Sequence, residues 1–365
     1  MQKVKLGDIC EKGGSNIAQK DVENNNGNYP IYGAAGLIKF VDFYQQEKEY
    51  IGVVKDGAGI GRAIKLPAKS SVIGTMQYIF PKDNVFIDYL FYLLSHLNLA
   101  KYFSGATIPH IYFKDYKNEE VYLPSIEEQK AIAEQLDKVS ILIEKRKQQL
   151  SLLDTLVKSK FVEMFGDPEI NPHRFKKVII NDVCESIVRG PFGSSLKKEF
   201  FVDKGDKSYK VYEQKHAIQK SATIGTYYID ETKFKELSRF ECKAGDFLMS
   251  CSGTMGEIYQ LPENCERGII NQALCKFTLN KKITPVYFLV FMRQTIGKLE
   301  TKGSGIKNIA AVSYVKTMPV ILPPIGLQIQ FTAFVERVDD LKAKIKQSLD
   351  TLELLKKSLM QKYFG

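Results

Sequence analysis

The feature that most constrains this chain is a segment it uses twice. Leu123-Pro124-Ser125-Ile126-Glu127-Glu128-Gln129 opens a run that ends at Phe165-Gly166, and Leu322-Pro323-Pro324-Ile325-Gly326-Leu327-Gln328 opens one that ends at Phe364-Gly365. The runs align at one constant offset without a gap, with about 16 of 44 positions identical. The repeat divides the chain into two halves of one plan, a variable block and then a long helix. Two unlike blocks on two like spacers suit a target that is itself in two parts.

Each copy reads as helix. Ser125-x-x-Glu128 is a capping box, in which the serine oxygen accepts from an early helix N–H and the glutamate reaches back to the cap. Apolar residues follow in four-three steps at Ile132, Leu136, Val139, Ile143, Leu150, Leu153 and Val157, interrupted by Arg146. The second copy carries Phe331, Val335, Val338, Ile345, Leu349, Leu352 and Leu359. A spacing near 3.5 residues is a coiled-coil seam. About 38 residues at 1.5 Å each span about 57 Å, too long for one small domain. Gly166-Asp167-Pro168 stops the first helix, as glycine then proline should. Where the first seam has Arg146 the second has Ile345, and where the second has Lys342 the first has Ile143. Neither seam is complete alone, so the expectation is antiparallel pairing of the two helices rather than each helix packing on its own block.

Residues 1–122 mix short apolar strands with turn signals, as in Tyr50–Val54 before Asp56-Gly57, and Ser71–Ile73 followed by Gln77–Phe80. A short helix is expected over Ile87–Lys101, with Leu90, Leu93, Leu94 and Leu97 on one face. Residues 167–321 repeat this style with different residues. Val178–Cys184 echoes Val4–Cys10, Gly253-Thr254-Met255-Gly256 echoes Ala58-Gly59-Ile60-Gly61, and Gly305–Ile309 echoes Thr107–Ile111. The fold class is therefore α+β: two β-rich blocks separated by two long helices in an antiparallel coiled coil, with the halves related as a pseudo-two-fold repeat.

The chain has 365 residues, enough for two domains, and a net charge of +10. Excess Lys and Arg favours a polyanionic partner, nucleic acid first, against the plainer reading of a solvated lysine-rich surface. No stretch approaches a membrane span, and Met1–Asp8 has no apolar signal core. Cys10, Cys184, Cys242, Cys251, Cys265 and Cys275 form no Cys-x-x-Cys pair, so the default is free thiols in a reducing cytoplasm, with no zinc site and no other metal.

Catalytic patterns are absent from the sequence. There is no Gly-x-x-x-x-Gly-Lys-[Ser/Thr], and Asn171-Pro172-His173 does not supply the motif of an adenine methyltransferase. Gly57-Ala58-Gly59-Ile60-Gly61-Arg62 lacks Rossmann spacing and is either a plain tight turn or a phosphate-gripping one. His96, His110, His173 and His216 have no nucleophile or metal cluster beside them, and His96 is most simply structural. No catalytic residue and no cofactor are expected. Candidate nucleic-acid contacts are Lys55, Arg62, His110, Tyr112, Lys114 and Lys117 in the first block. In the second they are Arg189, Ser194, Ser195, Lys197, Lys198, Lys210, Tyr212, Lys215, His216, Lys302, Lys307 and Asn308. These are expected in loops, where side chains reach phosphates and base edges.

Leu-Pro-x-Ile-x-x-Gln opening a long helix, twice, after two dissimilar blocks, resembles the specificity subunit of type I restriction–modification systems. The second copy departs from the pattern, with Gly326-Leu327-Gln328 where the first has Glu127-Glu128-Gln129. The resemblance covers the whole chain. It implies that 1–122 and 167–321 are target-recognition domains and that 123–166 and 322–365 are conserved spacer helices. It implies that each domain reads one half of a split, non-palindromic site in double-stranded DNA. It also implies partners: two modification subunits that use S-adenosylmethionine to methylate an adenine in each half, and restriction subunits that translocate and cleave. A rival expectation is a non-enzymatic coiled-coil scaffold whose blocks bind protein; the net positive charge and the basic aromatic loops argue against it.

Overall fold

The computed structural model describes residues 2–105, 109–301 and 311–365, without the side chains of 193, 194 and 297–301. Two compact units divide the chain: Met1–Gln149 with Ile345–Gly365, and Leu150–Lys344. Each contains a stretch of both long helices, which run Ile126–Phe165 and Ile325–Phe364 over 40 residues each. At 1.5 Å per residue each is about 60 Å long.

Inside the first unit the strand Gln2–Lys5 pairs antiparallel with Glu120–Leu123, the strand that leads into the first long helix. A four-stranded sheet follows in the order Cys10–Gly14, Met76–Pro81, Tyr50–Val54, Ala63–Leu66. A three-stranded sheet of Gly36–Val41, Tyr29–Gly33 and Ser71–Val72 lies after it, with the last pair parallel. Ile87–His96 is helical and gives way to a 3-10 turn at Leu99–Tyr102, because Leu97 is extended; the helix is shorter than its sequence pattern implies. Its Leu90, Leu93 and Leu94 join Leu6, Ile51, Ile79, Ile132 and Leu136 in one core, and Leu359, Tyr363 and Phe364 of the second long helix pack on it.

The second unit repeats the plan. Lys176–Ile179 pairs with Pro319–Leu322, the strand before the second long helix. Its four-stranded sheet runs Cys184–Arg189, Leu274–Leu279, Phe247–Ser250, Ile258–Gln260, the same order as in the first unit. Its other sheet contains Ser208–Tyr212 parallel to Gly268–Ile270, as Tyr29–Gly33 is to Ser71–Val72. The core joins Phe247, Phe277 and Phe288 to Phe161 and Phe165 of the first long helix and Phe331, Val335 and Val338 of the second.

Pairing of the long helices is antiparallel in both units. In the first, the Tyr363 hydroxyl donates to Gln135 at 2.7 Å and Lys147 lies 3.7 Å from Glu353, so one number rises as the other falls. In the second, Lys342 reaches Asp154 at 2.7 Å and the Phe161 and Phe331 rings are 5.6 Å apart. Both seam breaks are therefore polar: Lys342 forms an ion pair, and Arg146 donates to Gln149 one turn on at 2.9 Å. The seam is buried at Ile132, Leu136, Val139, Ile143 and Val157 and at Phe331, Val335 and Val338, and block residues pack with Ile132, Leu136, Val157, Phe331, Val335 and Val338. It is half-buried at Leu150, Leu153, Ile345, Leu349, Leu352 and Leu359.

The shared heptapeptide has a structural job. Ser125 and Glu128 form the expected capping box, with bonds of 3.3 and 3.1 Å. Gln129, buried, accepts from Phe86 N–H at 2.8 Å and donates to the carbonyls of Pro124 at 3.0 Å and Asn84 at 3.1 Å. Gln328 does the same with Thr284 N–H at 2.9 Å and the carbonyls of Pro323 at 2.9 Å and Lys282 at 3.3 Å. Phe86 and Thr284 each precede the block's own helix, Ile87–His96 and Pro285–Thr301. Tyr89 and Tyr287 add a bond each to the strand before the long helix, at 2.6 Å to Tyr122 and 2.7 Å to Ile321. Three bonds per glutamine satisfy a buried amide and lock block to spacer. Gly166 ends the first helix at φ +74, where a Cβ would lie 2.3 Å from Pro172.

Candidate nucleic-acid interface

The loops between strands gather at one edge of each block, held by backbone bonds that recur. In the first unit Gly61 N–H donates to Val54 at 2.8 Å, Lys55 N–H to Thr75 at 3.0 Å, and Ile73 N–H to Tyr32 at 2.9 Å. In the second, Gly256 N–H donates to Ser250 at 2.8 Å, Cys251 N–H to Ala273 at 2.8 Å, and Asn271 N–H to Tyr212 at 2.9 Å. The two glycine-rich segments that echo in sequence thus close the same hairpin. Gly57, Gly59 and Gly61 all have φ near +80, and the N–H groups of Gly57, Gly61 and Arg62 are already bonded to carbonyls. The segment is a tight hairpin turn rather than an open phosphate cradle.

On this shared frame the side chains differ. In the first unit Lys55, His110, Tyr112 and Lys114 converge. His110 Nδ1 lies 2.7 Å from Asp56 Oδ1, its ring stacks on Tyr112 at 6.5 Å, and Lys114 sits over the Tyr112 ring at 5.3 Å. Tyr112 is 49% exposed. The Asp56 carboxylate accepts a hydrogen bond from His110 Nδ1–H, which fixes the orientation of the ring. Arg62 is bonded to the Ala34 carbonyl. Lys117 stands apart: its carbonyl accepts from Gly7 at 2.8 Å and its side chain lies on that glycine.

In the second unit Arg189 donates to the carbonyls of Gln272 at 3.0 Å and Cys251 at 3.3 Å and lies over the Phe192 ring at 5.4 Å. Gly190 beside it is required, since a Cβ there would meet the Asn271 carbonyl at 1.9 Å. Ser195 is half-buried and Lys197 and Lys198 are exposed, Lys197 being 3.7 Å from Glu199. Lys215 pairs with Glu213 at 2.6 Å over the Tyr227 ring.

Three candidates expected in loops are instead inside the block. Lys210 and Tyr212 belong to the strand Ser208–Tyr212, and His216 to the helix Gln214–Ile218. Lys210 is 1% exposed and bonds Glu266 at 3.1 Å, beneath the Tyr228 ring. Burial pushes Glu266 up, but its bonds to Lys204 and Lys210 outweigh that and hold it below the usual carboxylate range. Tyr212 donates to the Glu266 carbonyl at 2.6 Å. His216 accepts from Glu213 N–H at 2.8 Å and donates to the Ile224 carbonyl at 2.7 Å, and burial lowers its pKa. These groups are satisfied internally and brace the frame; sequence spacing alone did not show that they face inward. Lys302, Lys307 and Asn308 lie outside the described residues, as does the side chain of Ser194. Residues the sequence reading passed over are Asp56, which orients His110, and Phe192, which is 65% exposed. The available signal for Phe192 was an aromatic set between Gly190-Pro191 and Gly193, in turn chemistry that gives a ring no core to join.

Among the described residues no group of three or more His, Cys, Asp or Glu could hold a metal ion, and no helix is long and apolar enough to cross a membrane.

A family model described as the type I restriction modification DNA specificity domain matches residues 1–152 and 172–354. The specificity subunit of the type I restriction enzyme MjaIX of Methanocaldococcus jannaschii is 25% identical over 312 residues, 78% of this chain and 69% of that one. The MjaVIII specificity subunit of the same organism is 25% identical over 315 residues, 79% of this chain and 73% of that one. The crystal structure of a type I restriction–modification S subunit from M. genitalium superposes with a TM-score of 0.61 at 16% identity, covering 100% of this chain and 96% of the other.

Proposed function

The chain belongs to the family of type I restriction–modification DNA specificity subunits, and on that premise we propose that each of its two blocks reads one half of a bipartite DNA site. It is the sequence-specific DNA-binding subunit of such a system, and the methylation and restriction it directs are carried out by partner subunits. In this reading residues 1–122 and 167–321 are the two target-recognition domains, and 123–166 and 322–365 are the spacer helices. Double-stranded DNA is the ligand, two modification subunits and the restriction subunits are the protein partners, and the cytoplasm is the compartment.

One observation carries the reading: the same backbone bonds hold the loop edge of both blocks, while the side chains on that edge are unlike. Lys55 with His110 and Tyr112 stands in one block, and Arg189 with Phe192 in the other. A constant frame with variable side chains is what two readers of different half-sites need, and it makes the site asymmetric. Phosphate contacts supply affinity and register, and base-edge contacts supply sequence choice. Lys55, Arg62, His110, Tyr112 and Lys114 serve the first half-site, and Lys117, which lies against Gly7, does not. Arg189, Ser194, Ser195, Lys197, Lys198, Lys215, Lys302, Lys307 and Asn308 serve the second. Anisotropy titration of the complex with modification subunits, on duplexes carrying or lacking the methylated site, at two salt concentrations, tests this. The specific duplex should bind tighter at both salts; equal binding to both duplexes refutes it.

A further inference from the structure

At the end of the strand Cys184–Arg189 the second unit has a pocket of about 280 Å³ lined by Arg189, Phe192, Arg239, Phe240 and Lys316 among its wall residues. The three cations come from far apart in sequence: the strand end, the 3-10 turn Ser238–Phe240, and the helix Val312–Thr317. Among the described residues no Asp or Glu lines the pocket. The guanidinium of Arg189 is held by two carbonyls, at 3.0 and 3.3 Å, and lies over the Phe192 ring at 5.4 Å. Arg239 is exposed and Lys316 half-buried, and among the described residues neither side chain has an ion pair or hydrogen bond. Elsewhere in this unit basic side chains take glutamate partners, as Lys215, Lys220, Lys235 and Arg267 do. The like charges of Arg239 and Lys316 on one wall favour an anion between them. A fork already oriented by backbone carbonyls suits a tetrahedral anion with several acceptor oxygens.

We propose that this pocket holds one phosphate of the DNA backbone beside the second half-site, with Arg239 and Lys316 supplying charge and Arg189 an oriented donor. The exposed Phe192 ring packs against the adjoining sugar. The proposal rests on the reading of the second block as a half-site reader and adds Arg239 and Lys316 to it. A phosphate contact sets register and carries no sequence information, so this is a positioning site.

The test uses the assembled complex of this chain with its modification subunits and duplexes of the methylated sequence. In the double variant Arg239→Ala, Lys316→Ala the slope of log K against log salt should become shallower by about 0.9, the value for one lost phosphate contact. The ranking of single-base substitutions in both half-sites should be kept. An unchanged slope overturns the proposal, and so does relaxation at one base position without a change of slope, which would make the pocket a base reader. A second arm leaves the protein intact and scans neutral methylphosphonates along the duplex. One position flanking the second half-site should weaken the native complex on the order of tenfold and the double variant hardly at all. If every position weakens both proteins alike, the pocket holds no phosphate. Loss of discrimination between specific and unrelated duplexes by the native complex would instead sink the half-site reading, a distinguishable result.

Discussion

Replacing Gln129 by leucine, close to it in volume, should cost about 2–6 kcal/mol of the first unit's stability. The side chain makes three bonds, to Phe86 N–H at 2.8 Å, Pro124 C=O at 3.0 Å and Asn84 C=O at 3.1 Å. Asn84 is exposed, so its carbonyl finds water when the amide is gone. The Pro124 carbonyl and the Phe86 N–H are buried or half-buried and do not, and each unsatisfied group costs about 1–3 kcal/mol. Glutamate discriminates further. Ionised, it accepts from Phe86 N–H but faces the Pro124 carbonyl with no proton to offer, so its pKa in the fold rises above about 4.3. An acid whose folded pKa is raised is destabilising when ionised, so Gln129→Glu should be worst near neutral pH and recover as pH falls through that raised value. The assay is urea unfolding combined with hydrogen exchange. In Gln129→Leu, exchange should quicken around residues 84–97 and 124–129 while 282–296 keep their protection, and Gln328→Leu should do the reverse. A change under about 0.5 kcal/mol, with both segments still protected, would refute the role given to the repeated glutamine.

Glu266→Gln should destabilise the second unit by about 2 kcal/mol, because it strands the buried Lys210 ammonium; the figure sits below that of a fully buried pair since Glu266 is 37% exposed. Adding Lys210→Met should recover most of the loss, and a double variant no better than the single one contradicts the pairing. Acidification should also weaken the second unit: His216 is held neutral below its usual value of 6.5. Its stabilising contribution is therefore complete above that value and is lost as pH falls through it toward the folded pKa. Melting temperature should drop between about pH 7.5 and pH 5.5, and an identical drop in His216→Gln would assign the effect to another group. Seven residues inserted after Arg146, with seven more after Ile345, keep heptad phase and add about 10 Å to each helix, or about three base pairs of DNA. The expected result in methylation mapping is unchanged half-sites with a wider unread gap; an unchanged gap with full activity rules out the helices as the ruler.

The long helices were legible because their signals are local: a capping pair, a heptad seam and a glycine stop. The complementary breaks at Arg146 and Lys342 pointed to pairing of the two helices, antiparallel packing being the arrangement that buries both seams, and the ion pair of Lys342 with Asp154 accounts for one of the breaks. The purpose of Gln129 and Gln328 was hidden because their partners, Phe86 and Thr284, lie more than forty residues upstream. The basic candidates separated for a similar reason. Lys210 looks like any surface lysine until the strand pairing with Gly268 sets Glu266 beside it. Lys55 and His110 fall together through long-range bonds such as those from Ile111 N–H to the Lys55 carbonyl at 2.9 Å and from Gly57 N–H to the Pro109 carbonyl at 3.0 Å. Long-range pairing decides which cations face out, and one sequence does not carry that information locally.

The most direct test of two separate readers is a block exchange read by methylation. Residues 167–321 are replaced by the corresponding block of another type I specificity subunit, the hybrid is expressed with its modification subunits, and methylated adenines are mapped across a genome. One half of the modified site should change to that of the donor while the other half and the gap stay as they were. A change in both halves, or in neither with methylation intact, would contradict the account.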